Sequence, residues 1–357
     1  MATKFRKVVG MMSGTSLDGI DLILCRFYKT GQQWKYRIIA ADTYEYPTEW
    51  KKKLNDAAGL DAGSFLLLHQ EYGSYVGDLV HQFLSEHDLT ADLVAAHGHT
   101  IFHQPERGFT FQLGSGAALA SRCKLDTVSD FRTLDVALGG QGAPLVPLGD
   151  ELLFGDYKFC LNLGGFANIS NQIDGIRIAC DICPVNMVAN ELASRKDLEF
   201  DKDGMLGSKG NIVPELVEVL NNLDFYSRPA PKSLGREWVE TSVFPLMTQY
   251  HVSVEDLLRS LYEHMAIQIS RYINEYDPGE VLVTGGGAFN TFLMRLIREK
   301  SKSMLIVPDH QLVKFKEALI FAFLGLLRFR NEINCLSSVT GASSNSSSGT
   351  VNLISGK

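Results

Sequence analysis

The segment Ser13-Gly14-Thr15-Ser16-Leu17-Asp18-Gly19-Ile20-Asp21 constrains this chain more than any other part of it. It lies between the apolar runs Val8-Val9-Gly10-Met11-Met12 and Leu22-Ile23-Leu24-Cys25, so it reads as the tip of a β-hairpin. Small side chains and free backbone N–H groups at such a tip hold an anion without lysines. Asp18 and Asp21 would repel a bare phosphate but suit one carried on a divalent cation. The pattern points to a Mg-nucleotide phosphate site; a plain structural turn is the competing reading.

One unit appears twice along the chain. The first copy has strands near 7–14, 20–27 and 35–44, then a helix near 64–85 and a short strand at 93–96. That helix places Leu66, Leu67, Tyr72, Val76, Leu79, Val80 and Phe83 at helical spacing. The second copy has a strand at 157–163, a turn at Gly164-Gly165-Phe166, and strands at 167–170 and 175–180. Helices near 185–193 and 253–275 follow, then a buried strand at 281–284. Two hairpin-led β-β-β-α-β units imply two similar α/β domains facing each other, with a glycine hairpin from each at a shared central cleft. After the last strand, Gly285-Gly286-Gly287 runs through Asn290 into a helix. Three glycines admit a flat ligand against the backbone, and a helix N-terminus adds partial positive charge, which suits an adenosine or α-phosphate. A tight β-to-α turn is the alternative. No GxxxxGK[ST] occurs, and Gly114-Ser115-Gly116 reads as a helix start with a packing role.

Candidate chemistry centres on Cys180-Asp181-Ile182-Cys183-Pro184-Val185-Asn186. The Cys-x-x-Cys spacing suggests zinc or redox chemistry, but no second pair or nearby histidine pair completes a metal set. Asp181 is read as ending a strand, with Pro184 as a first helical residue, so that its carboxylate projects where α/β sites form. A carboxylate there takes a proton from an attacking water or hydroxyl; a helix N-cap is its other reading. Between the repeats lie His97-Gly98-His99-Thr100, His103, Asp130-Phe131-Arg132 and Gly139-Gly140-Gln141-Gly142. His97 and His99 on one strand would face the same way, and with His103 could hold a metal. Recognition of a sugar acid is the better account, with Arg132 suited to pair with a carboxylate.

Composition narrows the rest. At 357 residues the chain suits two domains, and its net charge of −7 without a long basic run disfavours nucleic acid and anionic membranes. The six cysteines are scattered, not spaced as a disulfide framework, and Cys180 and Cys183 are expected to be reduced and metal-free. Neither a signal-peptide pattern nor an apolar run of ~18 residues is present, so a cytoplasmic location is expected.

These motifs together resemble the anhydro-N-acetylmuramic acid kinases, a family of the actin/Hsp70/sugar-kinase superfamily. The resemblance rests on Met12 through Asp21, His97-Gly98-His99-Thr100, Asp130-Phe131-Arg132 and the run from Gly139 to Pro147. It continues through Leu161-Asn162-Leu163-Gly164-Gly165-Phe166-Ala167-Asn168-Ile169, Gly235-Arg236-Glu237-Trp238, Gly285-Gly286-Gly287 with Asn290, and Ser338-Val339-Thr340-Gly341-Ala342. It implies two ribonuclease-H-like α/β domains, one of 1–134 plus 312–357 and one of 135–311. It also implies a two-part reaction, in which water opens the 1,6-anhydro ring of anhydro-N-acetylmuramic acid while ATP phosphorylates the freed O6. The family's base falls on Asp181. Its ATP contacts fall on Gly14, Thr15, Ser16, Leu17, Asp18, Gly19, Ile20 and Asp21, on Gly164 and Gly165, and on Gly285, Gly286, Gly287 and Asn290. Sugar contacts fall on His97, Arg132, Gln141 and Glu317, and Mg²⁺ on Asp18 and Asp21. The partner is thus a small molecule, and a homodimer stays open. A kinase for another sugar or acid, and a non-catalytic nucleotide-switch protein, are the rival readings.

The chain departs from the family at Ile182, Cys183 and Val185, where smaller residues are usual, and at Ser115, where an aspartate is expected. The serine-rich segment 343–349 is expected to hang loose or form a mobile loop.

Overall fold

The computed structural model describes residues 6–14, 17–229 and 232–354, which divide into two compact units, Met1–Phe154 with Phe315–Lys357 and Gly155–Lys314. The sequence reading divides the chain at 134/135 and 311/312, whereas the units divide at 154/155 and 314/315. The helices Thr133–Ala137 and Val146–Leu153 stay with the first unit. Asp135 bonds to Thr340, and Gly149 packs directly on Ile320, both partners belonging to that unit.

In the first unit, strands β1 (Arg6–Ser13), β2 (Gly19–Thr30) and β3 (Gln33–Glu45) form an antiparallel meander, and β4 (Leu93–Ala96) adds parallel to β1. A separate hairpin, β5 (His99–Gln104) and β6 (Phe109–Leu113), precedes β7 (Thr127–Ser129), which adds parallel to β4. A last strand, Thr350–Asn352, pairs antiparallel with β7 at the sheet edge. Val8, Val9 and Met11 are all fully buried, so β1 is covered on both faces.

The helix Ala62–Glu86 covers one face. Asp61 caps it, its Oδ1 accepting from the Gly63 and Ser64 amides at 2.9 and 3.1 Å. Leu68, Tyr72, Val76, Leu79, Val80 and Phe83 are buried in a cluster with Val9, Met11 and Leu22. Leu66 and Leu67, expected in that stripe, are instead 60% and 61% exposed. With Tyr72 inward, the residue one turn earlier is Leu68, and its two predecessors rotate away from the sheet. The helix His310–Phe329, from Phe315 part of this unit, lies against the sheet at Gly10, where a Cβ would sit 2.1 Å from the Ala318 carbonyl. The sequence reading did not identify this helix.

The second unit repeats the connectivity. β8 (Phe159–Leu163), β9 (Phe166–Ile173) and β10 (Ile176–Pro184) form the meander, and β11 (Glu280–Thr284) and β12 (Met304–Ile306) add parallel beyond β8. The order β10-β9-β8-β11-β12 matches β3-β2-β1-β4-β7 strand for strand. That is the duplicated ribonuclease-H-like topology. The helix Val254–Asn274, capped by Ser253, buries Leu257, Leu258, Leu261, Met265, Ile269 and Ile273 in this unit's core.

The serine-rich segment is not loose. Asn334 donates to the Leu324 and Ser348 carbonyls at 3.1 and 2.8 Å and accepts from the Ser348 amide at 2.6 Å. Ser348 Oγ donates to the Phe131 carbonyl at 2.7 Å, and Asn345 accepts from Ser337 through both its amide and its hydroxyl. Polar composition here satisfies buried backbone groups where disorder was expected. Asn334→Ala removes three buried hydrogen bonds and is expected to destabilise the protein by roughly 1–3 kcal/mol in equilibrium denaturation; an unchanged midpoint would show that the segment is not anchored this way.

Candidate functional site

The β1–β2 register pairs Ser13 with Ile20, and Gly19 opens β2. Thr15 and Ser16 lie outside the described residues. Leu17 sits in the left-handed region (φ 59°), Asp18 is exposed, and Gly14 is half-buried. Gly19 packs against β3, where a Cβ would lie 2.5 Å from the Tyr44 carbonyl, so steric need at this glycine is internal. Ile20 is fully buried in the core beneath the turn. Ser13, at the entrance, is bonded to Tyr46 Oη at 2.7 Å and His99 Nδ1 at 2.8 Å, and Tyr46 continues to Tyr72 at 2.5 Å. This buried polar chain ties the turn to β5 and to the long helix. Asp21 accepts from Thr43 Oγ1 at 2.6 Å.

Glu317 comes from the helix that packs on Gly10, one residue before Ala318. Burial pushes its carboxyl up, Lys316 and Arg132 pull it down, and Asp21 and Asp150 add to the push. Lys316 itself is buried and pairs with Asp150 at 2.6 Å. Neither Lys316 nor Asp150 was singled out in the sequence, because the helix that carries the lysine was not recognised.

Arg132 donates through Nε and Nη2 to His97 Nε2 at 3.1 and 2.8 Å, and through Nη1 to the Gly142 carbonyl at 2.5 Å. A guanidinium has no acceptor, so His97 Nε2 is unprotonated and Nδ1–H donates to the Gly98 carbonyl at 2.9 Å. Burial, followed by the Arg132 charge, holds the His97 imidazole well below its ordinary range. His97, expected to touch the sugar, therefore spends both ring nitrogens inside the protein and orients Arg132. Three of the five guanidinium N–H groups are used, leaving one on each terminal nitrogen. Burial lowers Arg132 to about 10, so it stays charged at neutral pH. Gln141 is exposed, its amide N–H bound to the Thr340 carbonyl at 2.8 Å.

The histidine metal reading fails on the same geometry. Gly98 has φ +80°, so His97 and His99 do not share a regular strand. His97 is committed to Arg132 and Gly98, and His103 Nδ1 lies 3.1 Å from Thr110 Oγ1. Among the described residues no group of three His, Cys, Asp or Glu is placed to hold a metal ion.

In the second unit Asp181 lies inside β10, not at its end. The β9 register shifts between Asp181 and Cys183, so Ile182 is the extra residue of a bulge that re-aims the strand. Pro184 closes the strand and the helix is Asn186–Ser194, one correction to the expected helix start. Asp181 Oδ2 accepts from the Leu234 amide at 2.8 Å. Burial nonetheless pushes its carboxyl up to about 6, the Leu234 bond opposing. Cys180 and Cys183 are buried free thiols, both raised by burial, Cys180 to about 11.

The Gly164-Gly165 hairpin and the Gly285–Gly287 turn come together. Asn186 donates to the Leu163 carbonyl at 3.2 Å, and the amides of Val185 and Asn186 donate to the carbonyls of Gly165 and Gly164 at 2.8 and 3.2 Å. A Cβ at Gly287 would lie 2.8 Å from the Leu163 side chain and 3.4 Å from Asn186 Oδ1. Gly285 takes φ +84°, and its Cβ would meet Asn162 Oδ1 at 2.6 Å. Asn162 is the residue missed here, though an amide in the apolar run before two glycines was a visible signal. Gly165 and Gly286 have ordinary room for a Cβ, so their bareness has no internal cause. Asn290, expected to touch ATP, caps the helix Thr291–Lys300, its side-chain oxygen accepting from the Leu293 amide at 2.9 Å.

The family model for anhydro-N-acetylmuramic acid kinase matches residues 6–353. The chain belongs to the anhydro-N-acetylmuramic acid kinase family. It is 33% identical to the anhydro-N-acetylmuramic acid kinase of Vibrio cholerae (strain N16961), covering 96% of this chain and 97% of the relative. Identity to the Vibrio vulnificus (strain CMCP6) anhydro-N-acetylmuramic acid kinase is 35% over 96% and 97% of the two chains, and to that of Bacillus cereus (strain AH187) 31% over 94% and 96%. Near-complete coverage on both sides makes this an enzyme of the anhydro-N-acetylmuramic acid kinase family.

A raised carboxyl pKa favours folding while the group is neutral in both states, and that stability is lost as pH rises through the folded value. For Asp181 the loss falls between the ordinary carboxylate range and pH of about 6. Asp181→Asn is therefore expected to melt higher than the parent at pH 8, with the difference shrinking toward pH 4. A pH-independent difference would mean that burial does not disfavour the charge.

Proposed function

We propose that this chain opens the 1,6-anhydro ring of anhydro-N-acetylmuramic acid with water and transfers the γ-phosphoryl of ATP to the freed O6. The products are N-acetylmuramic acid 6-phosphate and ADP, in cytoplasmic recycling of peptidoglycan. Among the described residues no helix is long and apolar enough to cross a membrane.

The observation that carries the mechanism is Asp181, a carboxylate raised to about 6 and bound by a single backbone amide at Oδ2. It takes a proton from water as that oxygen bonds to the anomeric carbon. The C1–O6 bond breaks, and O6 accepts the phosphoryl group as ADP leaves. A base near neutrality is ionised at working pH yet retains affinity for the proton. Turnover is accordingly expected to fall as pH drops below about 6.

Arg132, with one N–H left on each terminal nitrogen, pairs with the lactyl carboxylate, and Glu317 and Gln141 contact the sugar. The turn from Gly14 to Asp21, the hairpin Gly164-Gly165 and the turn Gly285–Gly287 hold ATP through backbone N–H groups. Asp18 and Asp21 offer the hard oxygen donors that Mg²⁺ takes, and the like-charge pressure between Asp21 and Glu317 suits a divalent cation nearby. Bound Mg²⁺ supplies charge neutralisation at the transferring phosphoryl group.

The first test is ADP release from MgATP with anhydro-N-acetylmuramic acid against plain amino sugars; turnover only with the latter would defeat the proposal. Asp181→Asn should lower kcat by at least ~10²-fold with ATP binding nearly intact. Near-normal turnover removes Asp181 from the role of base.

A second pair separates the two ligands. Gly165→Ala should raise KM for MgATP, because the folded chain has ordinary room for a Cβ there while the proposed phosphate contact needs the backbone bare. Arg132→Ala should raise KM for the sugar more than it lowers kcat. Reversed effects would show the ligand halves to be misassigned.

A further inference from the structure

Asp135 lies on the helix Thr133–Ala137 and is fully buried. Its Oδ2 accepts from the Gly142 amide at 2.7 Å. Its Oδ1 accepts from Thr340 Oγ1 at 2.7 Å and from the Cys335 thiol at 3.1 Å. Its own carbonyl accepts from the Gly140 amide at 2.9 Å, and Gln141 N–H reaches the Thr340 carbonyl at 2.8 Å. Three successive amides of the turn 139–142 are thus fixed, Gly142 by the Asp135 carboxylate, Gly140 by the Asp135 carbonyl and Gln141 by Thr340. At Gly140 a Cβ would lie 2.3 Å from Asp135 Oδ2, so the turn has no room to shift toward it.

The far side of the same turn is what Arg132 uses. The Gly142 amide faces Asp135, while the Gly142 carbonyl accepts from Arg132 Nη1 at 2.5 Å. One peptide segment therefore relays the position of a buried carboxylate to a guanidinium whose other side is fixed by His97. A turn held only at its ends would let the Gly142 carbonyl rotate and release the guanidinium. Gln141 rides on the same turn. The remaining ends of the network, Thr340 and Cys335, come from the C-terminal segment that bonds onward to Ser346 and Asn345.

We propose that Asp135 is a positioning residue for recognition of the sugar acid, holding the Gly139–Gly142 turn so that Arg132 and Gln141 meet the substrate, with Thr340 as its supporting donor. This rests on the assignment of Arg132 to the substrate carboxylate. Asp135 touches no reacting atom. Its effect belongs to sugar binding and not to nucleotide binding, which is what separates it from a residue that merely stabilises the fold.

The test compares Asp135→Asn, Thr340→Val, Thr340→Ser and Arg132→Ala with the parent enzyme, measuring KM for anhydro-N-acetylmuramic acid, KM for MgATP, and the melting temperature. Thr340→Val keeps the shape but removes the hydroxyl donor, and it decides the matter alone if Asp135→Asn fails to fold. Loss of a hydrogen bond to the buried carboxylate should raise the sugar KM by about tenfold, with the MgATP KM changing less than about twofold. Thr340→Ser, which keeps the donor, should return the sugar KM to within about twofold of the parent. If Arg132→Ala raises the sugar KM and Thr340→Val does not, Asp135 is not the positioning group and the Arg132 assignment stands. Asp135 is equally excluded from that role if both KM values rise together alongside a lower melting temperature. If Arg132→Ala leaves the sugar KM unchanged, the Arg132 assignment fails and this inference falls with it.

Discussion

The first unit depends on a bare-backbone contact. Gly10 lets the helix His310–Phe329 approach β1 until a Cβ would overlap the Ala318 carbonyl. That approach fixes Lys316 and Glu317, the two residues preceding Ala318, over the strand pair that carries Asp21. A larger residue at position 10 would lift the helix, and the charged groups with it. The cost would be felt as misplaced electrostatics as much as lost packing, because Glu317 answers to Asp21, Asp150, Lys316 and Arg132 together.

Charge in this unit is handled by pairing inside the protein. Lys316 meets Asp150, and Arg132 divides its donors between an imidazole and a carbonyl. A buried ion pair of this kind adds little net stability, but removing one partner leaves the other charge stranded. Such pairs serve better to fix orientation than to hold a fold together. In the second unit the equivalent task falls to neutral amides. Asn162 and Asn186 bridge two glycine turns without adding charge where phosphates are proposed to lie.

The sequence was legible where local chemistry and tertiary structure agree. Both hairpins, the duplicated meander and the long helix follow from apolar periodicity and glycine pairs, and strand order in the two sheets obeys them. Apolar alternation marks the strand that carries Asp181 but not its bulge, because Ile182 reads like any other strand residue until the pairing with β9 is known. His97 was assigned to the substrate because a side chain's partner 35 residues away cannot be seen from spacing. The serine-rich segment was misjudged for a related reason. Composition reports what a segment offers to water, not that Asn334 and Phe131 stand ready to take its hydrogen bonds. Asn290 is the reverse case, a residue next to a ligand-like turn whose side-chain oxygen is taken by a helix end that spacing alone does not show.

The closing strand Thr350–Asn352 has a consequence for how the chain is made. It pairs with β7, and like most of the helix packed on Gly10 it follows the second unit in the chain. The second unit, one unbroken stretch from Gly155 to Lys314, has all its residues before that helix is complete. The first unit's early strands are thus made before the second unit and their covering helix after it, with the apolar face of β1 waiting for its cover through the synthesis of an entire domain. The order of birth and the order of completion are therefore opposite in this molecule, and the exposed interval falls on the strand that leads into the proposed phosphate turn.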